Sequence, residues 1–189
     1  MTYAVGIVAR FDNRGGSGHQ RGSVIAMWKS ASRLVAALLL TGSVSMAGDA
    51  QQVSSLTPKD VERLAQQRAA IEKYLGDERS KQNYKTASGK LGLLRALIER
   101  RVFKPSQTYE LQSMGIVLGD AFVQELGMEW VIVQDAYGRD PAVRLPRTSI
   151  IIFPLTMISK RIEKGEQVDV FNLFNGVANE VETLRKKGA

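Results

Sequence analysis

The residues best suited to chemistry are carboxylates and cations grouped around a stretch of turn formers. Asp135, Tyr137, Arg139, Asp140 and Arg144 fall within ten residues. If residues 128–135 form a strand, Glu129 and Asp135 share one face of it, and a pair of carboxylates could carry out the acid–base chemistry of glycoside hydrolases. The same side chains more often form ion pairs and turn caps, each contributing at most about 1 kcal/mol. The pattern leaves both interpretations open.

The two interpretations differ in what Asp135 and Arg144 contact. If the turn joins two antiparallel strands, these two residues face each other across the hairpin, and Asp140 hydrogen-bonds to its own backbone in the turn. The charged residues then set the strand register. Alternatively, Asp135 or Arg144 faces a cleft and is available to a ligand. The structural interpretation predicts that the two side chains are paired.

Three further residues are candidates for binding. Trp130 is a large aromatic residue close to the charged turn, and an exposed tryptophan favours a binding surface. Lys160 and Arg161 form a second charged cluster together with the acidic residues Glu163, Glu166 and Asp169. The alternative for this second cluster is an exposed helix face, a helix end and an N-cap.

Residue types exclude several mechanisms. The chain has no cysteine and one histidine, His19. If that histidine is removed with the N-terminal segment, no Ser-His-Asp triad, Cys-His nucleophile or ordinary zinc site can form. A phosphate-binding loop and a dinucleotide fingerprint are also missing from the sequence. We therefore expect no cofactor and no metal.

Residues 27–47 have the layout of a secretory signal peptide. Lys29 and Arg33 precede the apolar run that starts at Leu34, and the small residues Ser45 and Ala47 stand where a signal peptidase would cut. The apolar run is about half of the roughly 20 residues that a membrane-spanning helix needs. Cleavage after Ala47 predicts a periplasmic or secreted protein without a transmembrane segment. The alternative is an uncleaved anchor.

The remaining divisions of the chain follow from the position of this signal peptide. Residues 1–26 are polar and glycine-rich, and they would separate the signal peptide from the N-terminus. We therefore interpret them as a mis-annotated or disordered leader, with Met27 as the true start. Residues 48–56 are a polar leader, and residues 57–187 form a single domain. The formal charge of the chain is +7, and the five basic residues and one acid before Gly48 leave +3. That charge makes nucleic acid an unlikely partner, and the partner expected is a protein or small molecule of unknown identity.

The domain reads as α+β. Thr57 and Pro58 start a first helix, a second helix follows around Leu91, and a third runs up to Gly127. Short strands are expected at 128–133, 142–145 and 149–153, the last of them buried on both faces. Two helices, from about Leu155 and from Asp169, complete the chain. The sequence thus predicts N-terminal helices, a small antiparallel sheet of about three strands and two C-terminal helices.

Two glycines in the third predicted helix have a spacing that indicates close packing. Gly115 and Gly119 are four residues apart and share one helix face. Each costs about 1 kcal/mol relative to alanine in a helix interior. We therefore expect this face to approach another backbone.

One long segment resembles a known family. The pieces are Leu118-Gly119, Trp130-Val131, Asp135 to Pro141, Arg144, Phe153 to Arg161, and Gly165-Glu166 with Asp169. With these pieces the chain resembles the bacterial domain-of-unknown-function family 3806, over roughly Thr57 to Val181. The resemblance implies no activity and transfers no catalytic residue.

Two function classes follow from these observations. The first is a periplasmic or secreted binding or interaction module with an unknown ligand, of which an inhibitor-like protein is one example. The second is a hydrolase free of histidine and cysteine that uses paired carboxylates among Glu129, Asp135 and Asp140. A deep pocket holding two carboxylates with separated pKa values would favour the enzyme. A groove beside exposed Trp130 or Tyr137 would favour binding.

Export gives a direct test of the N-terminal interpretation. The intact mass of the protein isolated from its native host should correspond to a chain that begins at Gly48. A mature product that still contains His19 would contradict the signal-peptide prediction.

Overall fold

The computed structural model describes Val8–Ala9, residues 51–136 and residues 138–188. The helices in these ranges are α1 (Pro58–Glu72), α2 (Glu78–Tyr84), α3 (Ala87–Glu99), α4 (Thr108–Leu126), α5 (Ser159–Glu163) and α6 (Val170–Lys186). The strands are β1 (Val8–Ala9), β2 (Gln52–Ser54), β3 (Glu129–Asp135), β4 (Gly138–Arg144) and β5 (Ile151–Ile152). A 3-10 turn covers Pro154–Thr156. The predicted α+β class with helices on either side of the sheet in sequence is confirmed.

Local caps explain where the N-terminal helices begin. Thr57 and Asp60 form a reciprocal capping box at the start of α1, and Pro58 occupies the first turn, as the sequence predicts. Asp77 caps α2 and Thr86 caps α3 through hydrogen bonds to backbone amides three residues on. The segment between the first two predicted helices therefore holds an additional helix, α2, because Asp77 starts a helix shortly before Thr86 starts α3.

The sheet has more strands than expected. Across the described residues its order is β1-β5-β4-β3-β2. All neighbouring pairs are antiparallel except β1 and β5, which are parallel. Strand β2 lies inside the segment predicted as a polar leader, and all three of its residues are exposed. A three-residue edge strand with one apolar residue, Val53, is too short to show a periodic apolar pattern, so sequence periodicity does not predict it.

The β3–β4 hairpin is the best-formed part of the sheet. Seven residue pairs join it, from Glu129 opposite Arg144 to Asp135 opposite Gly138. Strand β4 begins four residues earlier than predicted, because the turn formers of residues 138–141 are paired in the ladder. Strand β5 contains only Ile151 and Ile152, whose side chains belong to apolar clusters on opposite faces of the sheet, as expected for a strand buried on both sides.

Several predicted segments fall outside the described residues. They are the signal peptide at 27–47, the first three residues of the polar leader, Tyr137, and the leader at 1–26 apart from Val8–Ala9. The division of residues 1–56 therefore stays a prediction. Among the helices of the described ranges, none combines the length and apolar character that crossing a bilayer requires.

Helix α4 is the central element of the domain. Ten of its residues are buried, on every side of the helix, which is typical of a helix enclosed by other elements. Phe122 of α4 stacks on Phe174 of α6 with ring centroids 5.0 Å apart. Leu118 and Met114 join the main apolar cluster, which also includes Leu94 of α3.

The glycine face of α4 makes the close contact that the spacing predicts. A Cβ atom on Gly115 would lie 2.4 Å from the backbone oxygen of Leu155 and 2.5 Å from that of Pro154. A Cβ atom on Gly119 would lie 2.5 Å from the Trp130 ring. The 3-10 turn and the indole therefore occupy the space that side chains at these positions would need.

Alanine substitutions at two helical glycines should have opposite effects. Gly115→Ala should destabilise the fold by about 1–3 kcal/mol, because its methyl group would press on rigid backbone atoms. Gly176→Ala in α6 is the matched control: no atom lies within 4 Å of its Cβ position, so higher helix propensity should stabilise by up to about 1 kcal/mol. Urea unfolding would measure both. Equal stability of the two variants would contradict the close-contact interpretation.

Candidate functional site

Trp130 is an anchor of the fold, in contrast to the exposed aromatic residue considered from the sequence. Its indole Nε1 donates a hydrogen bond of 2.8 Å to Asp120 Oδ1. Its ring lies against Gly119, so the tryptophan is held between β3 and α4. A side chain fixed in this way is unsuited to serve as a free binding platform.

Asp120 joins three elements. Besides the indole, it accepts two hydrogen bonds from the Arg68 guanidinium of α1, at 2.6 and 2.7 Å. The guanidinium also lies 6.0 Å from the centroid of the Trp130 ring. The hydrogen bonds to Asp120 raise the pKa of Arg68 above its usual value. Asp120 is not identifiable as an anchor from the sequence, because nothing in the pattern of α4 distinguishes it from a surface acid.

Arg139 is likewise a structural residue. Its two terminal nitrogens donate to Asp60 Oδ1 and Oδ2 at 2.6 and 2.7 Å, a bidentate pair. The Asp60 side chain is 6% exposed and the Arg139 side chain 41%. The hydrogen bonds from Arg139, followed by those from Thr57, hold the pKa of Asp60 well below its usual value despite burial. The start of α1 is thereby tied to β4.

The predicted pair of Asp135 and Arg144 is wrong. Arg144 donates to Glu129 at 2.5 and 3.2 Å, and these two residues lie directly opposite each other in the hairpin. Asp135 lies opposite Gly138 instead. The expectation that ion pairing accompanies the strand register holds, but the longer ladder gives Arg144 a different carboxylate.

The remaining predicted residues do not gather at one place. Asp140 is exposed in β4 opposite Val133. Lys160 is exposed on α5, whereas Arg161 donates a hydrogen bond of 2.6 Å to the carbonyl oxygen of Met157. Tyr137 lies outside the described residues. The predicted residues are thus spread over the hairpin and α5.

A polar cluster lies between α2, α3 and α4. Lys90 Nζ donates to the Tyr84 carbonyl oxygen at 3.0 Å and to Gln124 Oε1 at 2.9 Å, and burial lowers the pKa of Lys90. Burial also raises the pKa of Tyr84, and the Glu72 charge adds to this, although no hydrogen bond of ordinary geometry reaches the buried Tyr84 hydroxyl. These contacts fix α2 and α3 on α4.

A cavity of about 670 Å³ opens where α3, α4 and α5 meet. We call it the α3–α4–α5 cavity. Its volume falls in the range of about 300–1,000 Å³ that small-molecule sites occupy. It is lined by Leu97, Ile98, Glu99, Arg101, Phe103, Lys104, Pro105, Leu111, Met114, Ile162 and the 165–168 segment.

The cavity has an apolar interior and a charged mouth. Leu97, Phe103, Leu111 and Met114 are buried at its base. Its charged residues are exposed: Glu99, Arg101, Lys104 and Glu166. An apolar interior with a few polar groups at the opening is the usual arrangement of a ligand site. Sequence patterns do not predict this cavity, because its lining comes from segments that are separate along the chain.

Within 51–136 and 138–188, no three side chains among histidine, cysteine, aspartate and glutamate come together as ligands of one ion.

Replacing each of two arginines should show that an ion pair with a buried carboxylate stabilises the fold more than an exposed ion pair does. Arg139→Gln leaves the buried Asp60 carboxylate without its main partner and should destabilise by about 1–3 kcal/mol. Arg144→Gln is the control, because its pair with Glu129 is 35% and 45% exposed; it should cost at most about 1 kcal/mol. Urea unfolding at neutral pH gives both values, and a larger loss in Arg144→Gln would contradict the assignment.

The same pair predicts the response to acid. The folded pKa of Asp60 lies below its ordinary value of 3.8, so its stabilisation is complete above about pH 4 and is lost as the pH falls towards the folded pKa. Wild type should therefore lose stability on acidification below about pH 4. Arg139→Gln should lose less over that range, since most of the pair's contribution is already gone.

The comparisons with known proteins concern the fold and the family. A crystal structure from Bacteroides thetaiotaomicron VPI-5482 is similar at 13% sequence identity and a TM-score of 0.56, over 69% of this chain and 48% of that one. The chain thus spans about half the length of that protein, and the likeness shows the fold alone. No curated protein matches the chain.

The family comparison covers the part of the chain that holds both the hairpin and the cavity. The match runs from residue 90 to residue 174, from within α3 into α6. It includes Trp130, Arg139 and Arg144, and all of the residues that line the cavity. Over this segment the chain resembles the family described as "Domain of unknown function (DUF3806)", as its sequence motifs predict.

Proposed function

We propose that this chain is a non-catalytic binding module of the bacterial periplasm or extracellular space, and that its ligand occupies the α3–α4–α5 cavity. The observation that carries the proposal is the cavity itself, about 670 Å³ with an apolar base and a charged mouth. A buried apolar surface contributes affinity, and a few polar groups at the opening fix the orientation of a ligand. No reacting group is needed for such a role.

The arrangement of carboxylates supports binding over hydrolysis. A paired-carboxylate hydrolase needs one acid with a raised pKa that can donate a proton near neutral pH. Asp60, the most buried carboxylate of the described residues, has a lowered pKa because Arg139 and Thr57 hydrogen-bond to it, which is the opposite of what such an acid needs. Glu129 is one of the three carboxylates of the hydrolase hypothesis, and it is paired with Arg144. Of the charged residues lining the cavity, the acids Glu99 and Glu166 are exposed.

The cellular compartment of the protein is inferred from its sequence. Residues 27–47 have the charged, apolar and small-residue order of a secretory signal. The lack of cysteine is compatible with an oxidising compartment, since a domain of this size builds a core without disulfides. A binding module in that compartment would meet small molecules and proteins of the envelope.

Filling the cavity tests the proposal. Val168 is half-buried in the loop that lines the cavity, so Val168→Trp should occupy its interior. Val61→Trp is the matched control, since Val61 is 50% exposed on α1 and remote from the lining. Tagged wild type and both variants would be purified from periplasmic extract, and the bound small molecules identified by mass spectrometry.

The expected result is a compound that copurifies with wild type and Val61→Trp and is lost from Val168→Trp. Equal retention by all three proteins would place the ligand elsewhere and contradict the cavity as its site. Equal melting temperatures of the two variants would show that a loss does not reflect unfolding. Turnover of a glycoside or peptide by wild type would instead support the hydrolase.

A further inference from the structure

We infer that the α3–α4–α5 cavity takes an amphipathic monoanion, with its aliphatic body against the cavity base and its carboxylate at Arg101 and Lys104. The inference rests on the proposed binding function and specifies its ligand class. Three observations carry it: the backbone conformation of Arg101, the distribution of charge at the cavity mouth, and the apolar base of the cavity.

Arg101 stands at a helix end where glycine is the usual residue. After the α3 C-cap, the Arg101 amide donates to the Ile98 carbonyl oxygen at 2.9 Å and the Val102 amide to the Leu97 carbonyl oxygen at 3.0 Å. These two hydrogen bonds define a Schellman motif whose left-handed position is Arg101, with φ of 50°. A side chain with a Cβ atom is disfavoured there relative to glycine. A residue kept in an unfavourable conformation at the mouth of a cavity indicates a use for its side chain.

The charge around the mouth favours an anion. The charged residues that line the cavity are two cations, Arg101 and Lys104, and two acids, Glu99 and Glu166. Glu99 is already 3.8 Å from Arg95. Neither Arg101 nor Lys104 has a carboxylate within 4.0 Å among the described residues. A ligand carboxylate would therefore find two cations that no carboxylate of the described residues pairs with.

Glu166 limits the charge of the ligand. It is exposed and lines the same cavity, from the segment between α5 and α6. Its negative charge disfavours a second negative charge on the ligand, so a single carboxylate fits better than a dianion.

The base of the cavity determines the rest of the ligand. The apolar surface that a ligand can reach comes from the half-buried residues Ile98, Ile162 and Val168, because Leu97, Phe103, Leu111 and Met114 are at most 7% exposed. They carry no charge that a polar ligand body could pair with, and each methylene placed against such residues should strengthen binding about fourfold. A flexible or compact hydrocarbon body therefore suits the interior.

Calorimetric titration of the full chain with three matched probes tests the inference. Decanoate, decanamide and decylammonium share one hydrocarbon body and differ in head-group charge. Decanoate should bind about tenfold more tightly than decanamide, as one charge-assisted hydrogen bond implies. Decylammonium should bind more weakly than decanamide. Octanoate should bind more weakly than decanoate, which would place the hydrocarbon in the cavity.

Arg101→Gly separates the role in binding from any role in folding. Glycine suits the left-handed position, so the melting temperature should stay equal or rise, while decanoate affinity falls about tenfold and decanamide affinity stays unchanged. Arg100→Gln is the matched control: Arg100 is exposed and adjacent but does not line the cavity, so decanoate affinity should change less than about twofold. If Arg101→Gly folds poorly, the decanoate affinity of Lys104→Gln tests the same contact from the second cation.

The outcomes distinguish the ligand class from the function. Decanamide binding as tightly as decanoate, or unchanged decanoate binding in both Arg101→Gly and Lys104→Gln, would overturn the anion and leave the cavity as a binding site. Failure of all probes would also overturn this ligand class. The proposed function fails separately, if Val168→Trp retains every compound that copurifies with wild type.

Discussion

The fold depends on how closely α4 can approach its neighbours. With no side chain at Gly115 and Gly119, the helix lies against the 3-10 turn and the Trp130 ring at distances that a Cβ atom would not allow. Since α4 is buried on every side, its position sets the position of every element that packs on it. Each glycine costs helix propensity of about 1 kcal/mol, which the close packing has to offset.

Ion pairs then fix the orientation of the surrounding elements. Asp120 joins α4 to Arg68 of α1 and to Trp130 of β3, and Asp60 joins α1 to Arg139 of β4. A buried carboxylate is costly unless it is fully hydrogen-bonded. Asp60 meets this condition through Arg139 and Thr57, so a displaced α1 would lose several hydrogen bonds at once. The charged residues around the hairpin therefore stabilise the fold rather than form a reactive site.

The cavity lies where packing is incomplete, in contrast to the closely packed glycine face of α4. It forms where α3 ends in a Schellman motif and the chain turns towards α4. An arginine takes the position that glycine would fill with less strain. Binding sites often retain such local costs because a more stable residue would lack the required group. The proposed ligand class connects this backbone feature with the basic charge of α3.

The sequence by itself determined the elements whose cause is local. Thr57 and Pro58 start α1, Asp169 caps α6, and Gly127 ends α4, because caps and turns depend on neighbouring residues. The spacing of Gly115 and Gly119 predicted their close contact, and the motifs between Leu118 and Asp169 predicted the family resemblance. Only the tertiary structure decided that Arg144 pairs with Glu129, that Trp130 binds Asp120, and that four separate segments enclose a cavity. These contacts join residues far apart in sequence or depend on strand register, and hydrophobic periodicity specifies neither.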